Sequence, residues 1–288
     1  MVRKSSQISL LTPYPAFLID TGLEKTLVVS DLHIGWEVAL AEEGVHVPSQ
    51  TKRLLEKLKA AIGEQKIGRL VVLGDVKHTF SKIEHEEWRD VPQFFEETCK
   101  IVPKVQVVPG NHDGDIEALL PESAEVLSSK GVIIGDVGLF HGHMWPDINI
   151  LGCSTLVVGH VHPVIVLSDP MGFRIAQQVW VRAPCNSELL ARLVLRRNNV
   201  RLKKNEKARE VLKARFSIDL KAETLVILPS FNDFLGGQAI NRSTMSGKKF
   251  KAFIGPVLRS GSVNLEKAET YLLDGTFLGS LDQLRRLS

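Results

Sequence analysis

Short unbroken apolar runs alternate with stripes at three-and-four spacing along the first half of the chain. Residues 26–30 (Thr-Leu-Val-Val-Ser) read as a buried, β-branched strand. A helix opens at Pro48-Ser49 with Ser49 as N-cap, and Leu54, Leu55, Leu58, Ala61 and Ile62 form its apolar stripe. Gly68 precedes a second strand at 70–73. A helix over 86–100 turns Trp88, Val91, Phe94, Phe95 and Cys99 inward. A third strand follows at 105–108, then a short helix at 116–120 and strands at 132–134, 137–140 and 155–158. Strands alternating with helices of this length predict βαβ units, an α/β fold and a mainly parallel sheet.

After His162 the pattern changes. Segments 164–167, 178–182 and 225–228 predict strands of a second sheet, and 271–278 reads as a hairpin turning at Asp274-Gly275. Between them, 186–220 is helix-like and basic. Without internal repeats or a Pro/Ser-rich linker, residues 1–288 read as one domain with a basic helical insertion at about 186–221. At 44% hydrophobic and 24% charged, the composition is that of a soluble globular protein. No apolar run approaches the ~20 residues of a membrane span, which argues against a membrane partner. Cys99, Cys153 and Cys185 make no paired framework, so a reducing, cytoplasmic compartment is expected.

The histidines change the picture more. All nine lie between His33 and His162, and imidazole is both a common metal ligand and the group that titrates near neutrality. Five segments within 27–163 each follow a predicted strand: Asp31-Leu-His33, Gly74-Asp75, Gly110-Asn-His-Asp113, His141-Gly-His143 and Gly159-His-Val-His162. Carboxyl ends of strands in an open α/β sheet share one crevice, where ligands bind. Asp31 and His33, two apart, reach one ion from a strand end, and His160 and His162 point to one side. Gly74 and Gly110 keep the turns clear of side-chain bulk. Singly, an Asp-x-His is a surface pair and a Gly-Asp a turn; five in order, each after its strand, have no such bland explanation.

With these motifs the sequence resembles the calcineurin-like metallophosphoesterases, from Asp31 to His162. The resemblance implies a two-sheet β-sandwich flanked by helices, a four-layer αββα arrangement, with two divalent metals at the strand ends. It implies that Asp31, His33, Asp75 and His162 hold one metal. Asp75 would bridge to a second, completed by Asn111, His141 and His160. His112 would stand beside the leaving group, oriented by Asp113. A donor set of imidazole, carboxylate and amide suits Mn²⁺ first, with Fe, Zn²⁺ or Ni²⁺ as alternatives. Such a pair of ions neutralises phosphate oxygens and places a hydroxide held between them in line. A metal-dependent phosphoric ester hydrolase, most simply a phosphodiesterase or nuclease, is the expected activity.

The protein-phosphatase branch follows its Gly-Asp with Asp-Arg-Gly, whereas this chain runs Gly74-Asp-Val-Lys-His-Thr-Phe80 and lacks that arginine. This run, with Leu228-Pro-Ser-Phe-Asn232 and Gly236-Gly237, looks like the branch called DNA-ligase-associated or archaeal helicase-associated metallophosphoesterases. The likeness implies DNA-repair or helicase proteins as partners and a nucleic acid or nucleotide as substrate. His143 is open between ligand, support for a ligand and substrate contact. His78 lines the pocket or caps a loop, Ser230 and Asn232 reach the cleft or merely make a turn, and His46 and His85 read as surface residues. From Arg192 to Lys221 eleven basic residues face three acidic ones, a net +8 in a chain of +3. Arg201, Lys203, Lys204, Lys207 and Arg209 are its candidate phosphate-backbone contacts; the plain alternative is a solvated face over Ala208, Val211, Leu212 and Phe216. Competing functions are a small-molecule phosphatase or nucleotide pyrophosphatase, and a scaffold without catalysis.

Overall fold

The computed structural model describes residues 6–80, 83–168, 171–203, 205–242 and 253–286; Lys204 lies outside them. Six strands build the first sheet in chain order: β1 (Gln7–Leu10), β2 (Phe17–Asp20), β3 (Lys25–Val29), β4 (Arg69–Val72), β5 (Lys104–Val107) and β6 (Ala124–Val126). Pairing is parallel from β3 to β6, while β1 and β2 add antiparallel strands at one edge. Helices α1 (Trp36–Glu42), α2 (Thr51–Ile62) and α3 (His85–Ile101) lie between strands.

The second sheet is mixed. Its strands are β7 (Val132–Ile134), β8 (Val137–Leu139), β9 (Thr155–Val158), β10 (Pro163–Ser168), β11 (Arg174–Pro184), β12 (Thr224–Ile227) and β13 (Gln238–Ala239). They run in the order β13-β10-β11-β12-β9-β8-β7, and β14 (Glu269–Leu272) and β15 (Phe277–Ser280) form a hairpin paired to β11. Helices α4 (Ser187–Arg197), α5 (Ala208–Phe216), α6 (Pro256–Arg259) and α7 (Leu281–Arg286) complete this half.

Alternating side chains show why the strand sequences are continuously apolar. In β4, Leu70 and Val72 join the core beneath α2 and α3, whereas Val71 enters the core between the sheets. In β9, Leu156 and Val158 face α4 and α5, and Val157 meets the inter-sheet core. Both faces of both sheets are therefore buried, giving four layers, αββα, as the sequence implies.

Helices α4 and α5 bury Leu190, Ala191, Val194, Leu195, Ala208, Val211 and Leu212 against the second sheet. They form its outer layer, and helicity is interrupted between them where Asn199 takes φ 60°. Two local expectations need correction. The Ser49 hydroxyl bonds Asp90 at 2.6 Å, leaving Gln50 at the N-cap of α2. Trp88 is half exposed, because the buried stripe of α3 runs through Glu87, Val91, Phe94, Phe95 and Thr98.

Candidate metal centre

Each metal-type motif lies in the loop just beyond a strand: β3, β4, β5, β8 and β9. The loops after β3 and β4 run side by side, with Asp31 N–H bonded to Gly74 O (3.0 Å), His33 N–H to Asp75 O (2.9 Å) and Ile34 N–H to Val76 O (2.8 Å). Backbone conformation departs from the extended alternation expected for the His and Asp pairs. Asp31, His33, Asp75, His160 and His162 all have positive φ, between 43° and 68°. Such residues cost energy in this region and persist only where surroundings enforce them. Left-handed turns, not strand alternation, converge these side chains. Gly74 and Gly110 fulfil the role foreseen for them: a Cβ at Gly74 would overlap the His141 ring, and one at Gly110 would overlap Asp75.

Two ligand groups result. Atoms of Asp31, His33, Asp75 and His162 lie within 4.8 Å of one another, as do atoms of Asp75, His141 and His160. Asp75 belongs to both. Its Oδ2 lies 3.5 Å from His33 Nε2 and 3.3 Å from His141 Nε2, while His162 Nε2 lies 3.1 Å from Asp31 Oδ1. These three ring nitrogens, and Asn111 Oδ1, are buried without a hydrogen bond. Unsatisfied buried polar atoms are rare unless something binds them. Lone pairs converging on carboxylates call for cations, so the residues fit a pair of divalent ions. Asp31, His33, Asp75 and His162 would hold one, and Asp75, His141 and His160 the other, with Asn111 beside them.

Neighbouring groups fix each ligand. His141 donates Nδ1–H to Leu73 O (2.8 Å), which leaves Nε2 to face Asp75. Ser30 donates to Asp31 Oδ2 (2.7 Å), and His160 N–H reaches the same carboxylate at 3.2 Å. Burial works against the charge of Asp31, yet His162 beside it holds its carboxyl below the ordinary range. Asp75 is likewise held low against burial, chiefly by His141. Burial pushes His33 down to about 3, and His143 and His160 to about 4. His141 goes the other way, up to about 9, because Asp75 outweighs its burial; Asp31 raises His162 in the same manner.

His112 sits beside the pair. Its backbone N–H donates to Asp75 Oδ1 (3.0 Å), and its ring Nε2 lies 3.8 Å from Asp75 Oδ2. The ring is oriented by His78, whose carbonyl accepts Nδ1–H, and not by Asp113 as the sequence suggested. Asp113 instead ties backbone together, accepting from Val76 N–H (2.8 Å), Lys77 N–H (3.3 Å) and Gly110 N–H (2.7 Å). Burial and the charge of Asp75 push its carboxyl up to about 6.

His78 lines the site, with its Nδ1 3.3 Å from that of His33. His143 neighbours His141 and His160, ring centroids 5.3 and 6.2 Å away, with its Nδ1 buried and unbonded. Asn232 does not reach the cleft. It is fully buried, donates to Leu32 O (2.9 Å) and accepts from Phe234 N–H (3.0 Å), while Ser230 donates to Asp31 O (2.9 Å). Both clamp the Asp31 loop. His46 and His85 are exposed. Sequence reasoning missed Glu87, a fully buried carboxylate that accepts from His78 N–H (3.0 Å), Thr79 N–H (2.9 Å) and Thr79 Oγ1 (2.6 Å). An acidic residue on the apolar stripe of α3 was its signal.

The family model for calcineurin-like phosphoesterases matches residues 24–202. The chain belongs to the calcineurin-like phosphoesterase family. Among solved structures it is similar to the Pseudomonas putida nuclease MPE, at 19% identity and TM-score 0.48, covering 94% of this chain and 98% of that one. It is also similar to the Escherichia coli phosphoesterase Yfce, at 20% identity and TM-score 0.32, over 50% of this chain and 73% of that one. A protein of unknown function from Aquifex aeolicus aligns at 22% identity and TM-score 0.32, over 48% and 78%. No curated protein sequence matches the chain significantly. As a family member it is a phosphoric ester hydrolase with a site suited to two divalent ions. Among the described residues no helix is long and apolar enough to cross a membrane.

Proposed function

We propose that this family member is a phosphodiesterase acting on nucleic acid or a nucleotide, with Mn²⁺ as the working metal. The observation that carries the reading is the meeting of both ligand groups at Asp75, with His112 Nε2 3.8 Å from the same carboxylate. When bound, the ions supply charge neutralisation and an activated water. The chain supplies the rest. Asp31, Asp75 and the histidines set the position of the ester, and His112, held by the His78 carbonyl, presents Nε2 to protonate the departing oxygen.

A diester suits this site better than a monoester because the main charges acting on Asp31 and Asp75 come from histidines and from each other, not from Arg or Lys. His33, His143 and His160 remain neutral at pH 7. Among the described residues, no Arg or Lys ranks among the main charges on these carboxylates, which favours a singly charged diester over a doubly charged monoester. We place the protein in a reducing cytoplasm, where Cys99, Cys153 and Cys185 need no disulfide.

The test is turnover of dinucleotides and nitrophenyl diesters against nitrophenyl monoesters by the Mn²⁺-loaded protein. Diesters should be preferred. His112→Ala should keep both metals yet lose about 10²–10⁴ on diesters with alkoxide leaving groups, and far less on nitrophenyl diesters, which need little proton donation. Preference for monoesters would defeat the diester reading, and an emptied metal site in the mutant would make His112 a ligand.

A further inference from the structure

Two exposed aromatic rings lie on turns bonded to the loops of the metal centre, and they are used differently. Phe234 is stacked on Trp36 (centroids 5.2 Å apart, 16° between planes) and carries the Arg53 guanidinium 4.5 Å over its ring. Its ring is thus already engaged within the chain. Phe80 lays one face on His112, with centroids 3.6 Å apart and planes at 35°, and is 61% exposed.

A single exposed phenylalanine is ordinary in itself. What sets Phe80 apart is the loop that presents it. Its two preceding residues, His78 and Thr79, are tied by three hydrogen bonds to the buried Glu87. Lys77, also fully buried, donates Nζ–H to Thr79 O. Burying two ionisable side chains beneath one short turn is costly unless they are bonded, and most of their bonds go to His78 and Thr79 of this turn. The same turn holds His112 through the His78 carbonyl. One rigid element therefore carries both the ring that hands a proton to the leaving oxygen and an open aromatic face against that ring.

We propose that Phe80 forms the leaving-group subsite and stacks on the nucleobase of the departing nucleoside. This rests on the phosphodiesterase reading above. The occupant follows from position: whatever His112 protonates is covalently joined to the group lying over Phe80. A flat, weakly polar group with a π face is what an aromatic ring binds without regard to sequence.

The experiment uses the Mn²⁺-loaded protein and three dinucleotides: thymidylyl-thymidine, and the two analogues in which one or the other base is replaced by hydrogen. Product analysis shows which nucleoside leaves. The ratio of kcat/KM with and without the leaving-side base should be about fivefold or more, the lower range of a base–aromatic stack. Phe80→Ala should bring that ratio to near one, and Phe80→Trp should restore it. Because both substrates share one leaving-group basicity, any disturbance of His112 in the variants cancels from the ratio. A wild-type ratio near one, or a ratio unchanged in Phe80→Ala, overturns the subsite while leaving the phosphodiesterase standing. Turnover of nitrophenyl monoesters with none of any dinucleotide overturns the phosphodiesterase itself.

Discussion

The two ends of the second sheet carry opposite kinds of charge. Beyond Val158, at the carboxyl end of β9, lie His160 and His162, half-buried among carboxylates and other histidines. At the amino end, Pro184 of β11 pairs with Thr224, which pairs with Thr155. There α4 begins, Ala208 N–H bonds Glu188, and Lys221 N–H bonds Leu151 O (3.0 Å). The start of α5, with Lys207 and Arg209, and Lys221 thus lie at the pole away from the metal centre. The described basic residues of the basic segment are all exposed except Arg192, which is partly so, and partners such as Asp219 on Lys213 (2.6 Å) are exposed as well. Surface pairs of that kind contribute about 0–1 kcal/mol. Charges at the metal pole depend on one another because they are out of water; charges at the basic pole are nearly independent because they are in it.

The sharpest way to break this contrast is Asp75→Asn. One oxygen of Asp75 faces His33, His112 and His141 together, so the substitution weakens both metal groups at once. Turnover should fall by about 10³-fold or more, in line with the several kcal/mol that metal ions supply, and metal analysis should find fewer than two ions per chain. Two ions retained with only a few-fold loss would show that the groups do not share Asp75.

The second effect is protonic. His141, at about 9, carries a proton at pH 7 in metal-free protein, whereas His33 and His160 do not. Ligands must be deprotonated to bind metal. Calorimetry in buffers of different ionisation heat should therefore find about one proton released from His141 on metal binding at pH 7, falling toward none above pH 9. For metal-free protein, the raised His141 stabilises the fold below its ordinary 6.5, and that contribution is lost between 6.5 and about 9. His33, at about 3, and His143 and His160, at about 4, act oppositely: their unfolded forms take up protons first, so stability is lost as pH falls from 6.5. Thermal stability of metal-free protein should then peak near neutrality. A monotonic rise or fall from pH 4 to 9 would contradict these shifts.

The same contrast separates what was legible in the sequence from what was not. Runs such as 70–73 and 155–158 were readable because burial on both faces leaves an unbroken apolar signature. The ligand motifs were readable because each follows such a run. Features set by distant partners were not. Ser49 donates its hydroxyl to Asp90, 41 residues on, and leaves the N-cap position to Gln50, and Asn232 fills its hydrogen bonds on Leu32 and Phe234. Strands β1 and β2 were missed too, β1 because its side chains are largely exposed and carry no buried pattern. Asp113 was misread for a related reason: its neighbour in sequence is His112, but its neighbours in space are the N–H groups of Gly110, Val76 and Lys77.

The smallest effect is expected at the basic pole, and it depends on substrate length. Lys203, Lys207 and Arg209 are exposed and lie on the segment that docks at the far end of the sheet, so a dinucleotide engaged at Asp75 does not extend to them. An oligonucleotide long enough to pass from the metal centre around the second sheet would. Reversing the three charges to Glu should therefore leave dinucleotide kcat/KM within about twofold, as surface substitutions usually do. For long oligonucleotides KM should rise, and the slope of log K against log salt should flatten by about 0.7–0.9 for each phosphate that the segment no longer neutralises. Equal losses on dinucleotides and long strands would mean that the segment acts through stability of the outer helical layer. No change on either would mean that its charges serve only solvation, leaving the metal pole as the sole determinant of substrate.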